Sequence, residues 1–157
     1  VYVNDTDIFS MNDDELAIFR RRQVGIIYQF YNLIPILNVQ ENIEIPLELD
    51  GRKADKKEMD EMLERLGLTQ RRTHLPNELS GGQQQRTSIG RALITRPSLV
   101  LADEPTGNLD TKSSGEIMNL LKRSNHELDQ TIIMITHNME LAKAADRIIM
   151  IEDGKIK

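Results

Sequence analysis

A chain of 157 residues that is 39% hydrophobic holds enough apolar material for one domain with room for a subdomain. It has no cysteine, which excludes a disulfide framework and thiol-ligated metals, and its net charge of -5 speaks against nucleic acid as the main partner, because a phosphate backbone selects a basic face. No apolar run approaches the roughly 20 residues needed to span a bilayer, and no signal peptide opens the chain, so a cytoplasmic protein is expected.

Val1-Tyr2-Val3-Asn4 has the pattern of a strand end with no cap before it, so the chain is expected to begin mid-fold. Asn12-Asp13-Asp14-Glu15 is a capping-box opening for a short helix that carries Leu16 and Phe19 inward. Arg20-Arg21-Arg22 on that helix follows Asp13, Asp14 and Glu15 and reads as a solvated face. Val24 to Tyr28 predicts a buried strand that stops at Gln29. From Phe30 to Leu49 the sequence is apolar but interrupted by Pro35 and Pro46, which predicts loops and short helices. Asp55 to Glu58 opens an amphipathic helix with Met59, Met62, Leu63 and Leu66 on one face and Gly67 as its stop.

Ser80-x-x-Gln83 is a second capping box, opening a helix that runs through Ile89 and Leu93 toward Pro97. The continuous apolar run from Leu99 to Asp103 predicts a fully buried strand. A helix from about Lys112 to Ser124 presents Ile117, Leu120 and Leu121; Thr131 to Thr136 is a second buried strand, ending at His137. After a short helix, Ile148 to Ile151 is expected as a third buried strand, which Glu152-Asp153-Gly154-Lys155 turns into a hairpin. Strand, helix, strand, helix, strand from Ser98 onward means α/β with a mostly parallel sheet. The span 32–79 carries no strand signal and reads as a helical insertion between core portions 1–31 and 80–157.

Two segments carry chemistry. Asp103 and Glu104 end a buried parallel strand, where open α/β sheets bind ligands. Asp103 can hold Mg²⁺, directly or through water; Glu104 points elsewhere and can polarise a water that attacks a γ-phosphate. The plainer alternative is a strand ending in solvated acids. In Ser80-Gly81-Gly82-Gln83 the glycines let backbone approach a phosphate, and the helix aims its N–H groups at the anion. Capping alone explains Ser80 and Gln83, but not two glycines at positions where they weaken a helix. Gln29 could touch a metal or be a polar strand terminus. His137 could donate to a phosphate oxygen or cap a strand, and Asp110 could simply cap the helix after it.

Taken together and in order, these segments resemble the nucleotide-binding domain of an ABC (ATP-binding cassette) transporter. Leu79–Gln83 resembles the family's signature motif, Ser98–Glu104 its Walker B segment, Pro105–Asp110 its D-loop, Ile26–Gln29 its Q-loop and Ile135–His137 its H-loop. The resemblance implies a P-loop NTPase-like core with a helical subdomain, ATP and Mg²⁺ as cofactors, and ATP hydrolysis coupled to transport. It implies that Gln29 senses Mg²⁺ and the γ-phosphate and couples to the membrane partner, and that Asp103 positions Mg²⁺. Glu104 would be the general base and His137 the γ-phosphate linchpin. Ser80, Gly81, Gly82 and Gln83 would act on ATP bound to a second copy of the domain, and Asp110 would lie across that seam. The other partner would be an integral membrane permease docking near Phe30–Leu37, on the inner face of the cell membrane.

Gly107-Asn108-Leu109-Asp110, where many relatives have Ser-Ala-Leu-Asp, and Phe30–Pro35 look like the branch serving lipoprotein release, macrolide export, cell division and antimicrobial-peptide resistance. The Walker A loop is not among these residues, since the one Gly-Lys pair, Gly154-Lys155, precedes Ile156 in a hairpin. An N-terminally truncated cassette, inactive alone, is therefore expected. The competing classes are a soluble cassette ATPase of DNA repair or translation, and a non-enzymatic remnant.

Overall fold

The structure is a computed structural model describing residues 1–157. It opens with a small antiparallel hairpin, β1 (Tyr2–Val3) and β2 (Thr6–Asp7), turned by Asn4 and Asp5 at φ of 47° and 60°. Two left-handed residues in a row are what a tight hairpin of right-handed twist requires. Asn12 caps α1 (Asp13–Gln23) through the expected box with Glu15. Leu16 and Phe19 are half-buried. The basic run is not a purely solvated face: Arg21 and Arg22 converge with Arg52 on Asp50, whose side chain is 2% exposed.

The central sheet has three parallel strands in the order β3 (Val24–Ile27), β4 (Leu99–Asp103), β5 (Thr131–Ile135), with Ile27 opposite Ala102 and Asp103 opposite Ile135. Between β3 and β4 lie α2 (Val39–Glu48), α3 (Lys56–Arg65) and α4 (Gly81–Leu93). The helix α5 (Thr111–Leu128) carries the chain to β5. A single turn, α6 (Met139–Ala142), and a hairpin, β6 (Ile151–Glu152) with β7 (Lys155–Ile156), follow.

Two expectations are corrected. The strands are buried on one face only: Gly25, Ile27, Val100 and Ala102 are buried, while Ile26, Ile133 and Ile135 alternate outward and are exposed. The helices α4 and α5 cover only the first of these faces. Ile148–Met150 is exposed and not a strand of the sheet, because no neighbouring strand offers it a hydrogen-bonding ladder. Helix α2 runs through Pro46, near enough to its last turn that one missing N–H does not end it.

The buried apolar residues form one cluster. Val39, Ile43 and Leu47 from α2, Met59 and Leu63 from α3, Ile89 and Leu93 of α4, and Ile27 and Val100 of the sheet all belong to it, and α4 is the helix in contact with both α2 and β3. Gly90 and Gly25 are the close approaches: a Cβ on Gly90 would come within 2.6 Å of Leu66 Cδ1, and one on Gly25 within 2.5 Å of the Ala92 carbonyl oxygen. Helix α4 is thus the brace between the helical layer and the sheet.

Candidate active site

The carboxyl ends of the three strands gather the acids and their partners. Asp103 ends β4 with an exposed side chain. Glu104 follows at φ 42°, a left-handed backbone that a non-glycine residue adopts at a cost and that surrounding contacts must enforce. Those contacts are the Glu104 N–H to the Ile135 carbonyl at 3.0 Å and the Gly107 N–H to the Glu104 carbonyl at 3.0 Å.

The end of β5 holds the Glu104 carboxylate. The His137 backbone N–H donates to Oε1 at 2.8 Å, His137 Nδ1 lies 2.6 Å from the same oxygen, and the Thr136 hydroxyl donates to Oε2 at 3.2 Å. Burial pushes the Glu104 carboxyl up, but the hydrogen bonds from the His137 ring and backbone and from Thr136 outweigh it and leave it below the usual range. The three bonds fix a carboxylate at the strand ends with the His137 ring exposed beside it.

Gln29 is held by the turn after β4. Its carbonyl accepts from Asn108 Nδ2 at 3.1 Å, its Nε2 lies 3.5 Å from Asn108 Oδ1, and a Cβ on Gly107 would sit 2.8 Å from that same Nε2. The same turn reaches the glycine pair. Leu109 packs on Gly81, and Asp110 caps α5 by accepting from the Ser113 N–H and hydroxyl at 2.9 and 2.8 Å, while Ser113 packs on Gly82. The Ser113 N–H, then its hydroxyl, hold the Asp110 carboxyl below its ordinary value. Ser80 caps α4 and is exposed, with Gln83 closing the box at 2.9 Å.

The structure therefore brings Glu104 together with His137, and Gln29 with the 107–110 turn, while Gly81 lies against Tyr31 and Leu109, and Gly82 against Ser113. Sequence reasoning missed two side chains of α4. Gln85, fully buried, donates through Nε2 to the Pro105 carbonyl at 2.6 Å and to the Tyr28 carbonyl at 3.3 Å. Arg91 donates to the carbonyls of Asn32 and Tyr31 at 2.6 and 2.9 Å. The available signal was spacing: Gln85 lies four residues before Ile89 and eight before Leu93, on the apolar face of the helix, where an amide needs buried partners.

An α/β core with two acids at the end of its middle strand and a glycine-opened helix beside it defines the nucleotide-hydrolase class. The comparisons carry this to the family. Residues 2–107 match the family model described as ABC transporter. YtrE of Bacillus subtilis (strain 168), an ABC transporter ATP-binding protein, is 45% identical over 100% of this chain and 69% of its own length. The macrolide export ATP-binding/permease protein MacB of Brucella melitensis biotype 1 is 49% identical over 96% of this chain and 23% of its own length. Among solved structures, a dimeric post-hydrolysis state of the ATP-binding cassette MJ0796 bound to ADP and Pi superimposes with a TM-score of 0.85. It is 40% identical and covers 99% of this chain and 70% of that one.

The chain belongs to the ABC transporter family, as the ATP-binding, ATP-hydrolysing component. No helix is long and apolar enough to cross a membrane.

Proposed function

We propose that this cassette hydrolyses ATP with Glu104 as general base, in a site shared between two copies of the chain, and that it powers a membrane permease. The observation that carries the reading is the Glu104 carboxylate itself, set at a left-handed turn and held by Thr136 and His137 from the neighbouring strand. A carboxylate so fixed can take a proton from an attacking water without reorganising.

Asp103, exposed at the end of β4, and Gln29 are the residues that would hold Mg²⁺. Both offer oxygen donors, the kind of ligand that Mg²⁺ takes beside phosphates and water. The bound ion would neutralise charge on the phosphates. His137, hydrogen-bonded to Glu104 through Nδ1, turns its other ring nitrogen outward and can donate to a γ-phosphate oxygen when both nitrogens carry protons. The N–H groups at the start of α4, with Ser80, Gly81, Gly82 and Gln83, would meet a γ-phosphate held by the other copy. Asp110 would line the seam between the two. The core portions 1–31 and 80–157 and the helical subdomain 32–79 are the units of this reading.

The permease contact we assign to Phe30–Leu37, facing the inner side of the membrane. Phe30, Ile34 and Ile36 are exposed there, at 70%, 41% and 82%. The backbone from Ile34 to Asn38 is tied to α2: buried Asn42 accepts from the Ile34 N–H and donates to the carbonyls of Ile34, Leu37 and Asn38. Apolar side chains standing on a fixed loop suit a protein partner. Phe30→Glu and Ile36→Glu are expected to abolish copurification with the permease; retention of the complex in both would move the contact elsewhere.

Glu104→Gln in the full-length protein tests the central assignment. It is expected to leave ATP binding intact and slow hydrolysis about 10²–10⁴-fold, the usual cost of losing a general base. Unchanged turnover would remove Glu104 from the role.

A further inference from the structure

We propose that Gln85 is a positioning residue for the hydrolytic centre, its buried side-chain amide fixing the turn that presents Glu104 and tying that turn to the strand end that presents Gln29. The inference deepens the functional reading above and rests on it.

Both acceptors of the amide are backbone carbonyls, and each is the immediate neighbour of a site residue. Pro105, at 2.6 Å, follows Glu104; Tyr28, at 3.3 Å, precedes Gln29. The donor sits in the second turn of α4, five residues after Ser80. One NH₂ group thus joins three things: the helix whose N-terminus carries the glycine pair, the end of β3 and the turn after β4.

The turn needs such a tie. Glu104 at φ 42° precedes a proline, and that position favours extended backbone. A strained residue keeps its geometry only where contacts over-determine it. Two backbone hydrogen bonds act on Glu104 itself, and the Gln85 bond fixes the next carbonyl along.

Core packing does not account for the residue. Gln85 Oε1 is buried with no hydrogen-bond partner. An unpaired buried carbonyl oxygen costs stability, and an apolar side chain of the same shape would remove that cost. The amide is worth retaining for its two N–H groups, which no apolar residue supplies.

The consequence is mechanical. By holding the Pro105 carbonyl at 2.6 Å and the Tyr28 carbonyl at 3.3 Å, Gln85 keeps the turn at Glu104 in place against β3, so it sets the aim of the base and acts on kcat rather than on nucleotide affinity.

The test uses the full-length protein with Gln85→Met, which fills the same volume without donors, and Gln85→Glu, which puts acceptor against acceptor. MgATP turnover is normalised to bound nucleotide, so that a loss of folded protein does not register as a loss of rate. Turnover per site is expected to fall about 10- to 100-fold in both, the range a misplaced catalytic group produces, with KM within about twofold of wild type. Wild-type turnover per site in Gln85→Met, or a change confined to KM, would overturn the proposal.

If neither variant folds, side-chain amide exchange in the ¹⁵N-glutamine-labelled wild type decides. A slowly exchanging Gln85 NH₂ supports the clamp; one in free exchange with solvent overturns it. A wild-type protein that did not hydrolyse MgATP would instead remove the functional reading, leaving the exchange measurement to judge the clamp alone.

Discussion

Glu104 and His137 are 33 positions apart in the chain and 2.6 Å apart in space, and the pairing sets the protonation chemistry of the site. Burial alone would raise the Glu104 carboxyl; the His137 ring, the His137 N–H and the Thr136 hydroxyl bring it below its ordinary value. In its proposed role as general base Glu104 must be ionised, so on that reading the acid limb of the rate profile follows its carboxyl. Each bond favours the charged form, so removing one raises the value and moves the limb to higher pH. His137→Ala deletes the ring bond while keeping the backbone N–H. Its kcat–pH profile is expected to show an acid limb displaced upward, on top of a lower plateau. A limb that stays in place or moves down would mean that the ring does not hold the carboxylate in the working enzyme. The acid pair and the histidine were legible as strand termini in the sequence, because an apolar run that stops at a polar residue marks its own end. The left-handed turn at Glu104 was not, since backbone strain leaves no mark in residue type.

At the level of elements, α4 decides how the parts fit. Its Gly90 faces Ile43 of α2 and Leu66, the residue that follows α3, and its backbone lies against β3. The two glycines at these contacts give an ordered prediction. A methyl on Gly25 would lie 2.5 Å from the Ala92 carbonyl oxygen and 3.2 Å from its carbon, both backbone, so strand or helix must shift. A methyl on Gly90 meets the ends of Leu66 and Ile43 at 2.6 and 3.0 Å, which can rotate away. Overpacking costs about 1–3 kcal/mol, and alanine returns about 1 kcal/mol of helix propensity at Gly90 but none at Gly25. Chemical denaturation is expected to rank Gly25→Ala as clearly destabilised and Gly90→Ala as milder. The reverse order would mean that the helix moves more freely on the sheet than its contacts indicate.

The caps of α1, α4 and α5 were readable from local chemistry, as was the stop of α3 at Gly67, with its φ of 65°. Ile148–Met150 was misread because apolar, mostly β-branched residues in a row signal strand propensity, whereas a strand also needs a neighbour to bond; only Ile151 finds one, in the expected hairpin.

For the molecule as a whole, one hydrophobic cluster joins the helical layer to the sheet, so the glycine turn and the strand ends are parts of one body. Within that body they have separate partners: Glu104 bonds Thr136 and His137, while Gly81 and Gly82 pack on Tyr31, Leu109 and Ser113. The order of motifs made the fold readable, but no sequence distance could say whether the glycine turn and the base serve one nucleotide within a chain or between two chains. The exposed Ser80 and the half-exposed Gly81 leave the turn accessible to a second copy. Gly81→Asp puts a negative charge where the turn would meet a phosphate, displacing only the end of the Tyr31 side chain, whose hydroxyl lies 2.8 Å from the new Cβ. Ser80→Arg adds bulk at the same point and gives up a helix cap, a loss of about 1 kcal/mol that a domain with this core tolerates. In the full-length protein with Glu104→Gln, which on the proposed role of Glu104 holds ATP and turns it over about 10²–10⁴-fold more slowly, light scattering is expected to show ATP-dependent dimers for the parent and monomers for either variant. Thermal unfolding should confirm that both remain folded. Dimers of normal stability in both would mean that the turn does not face the partner's nucleotide.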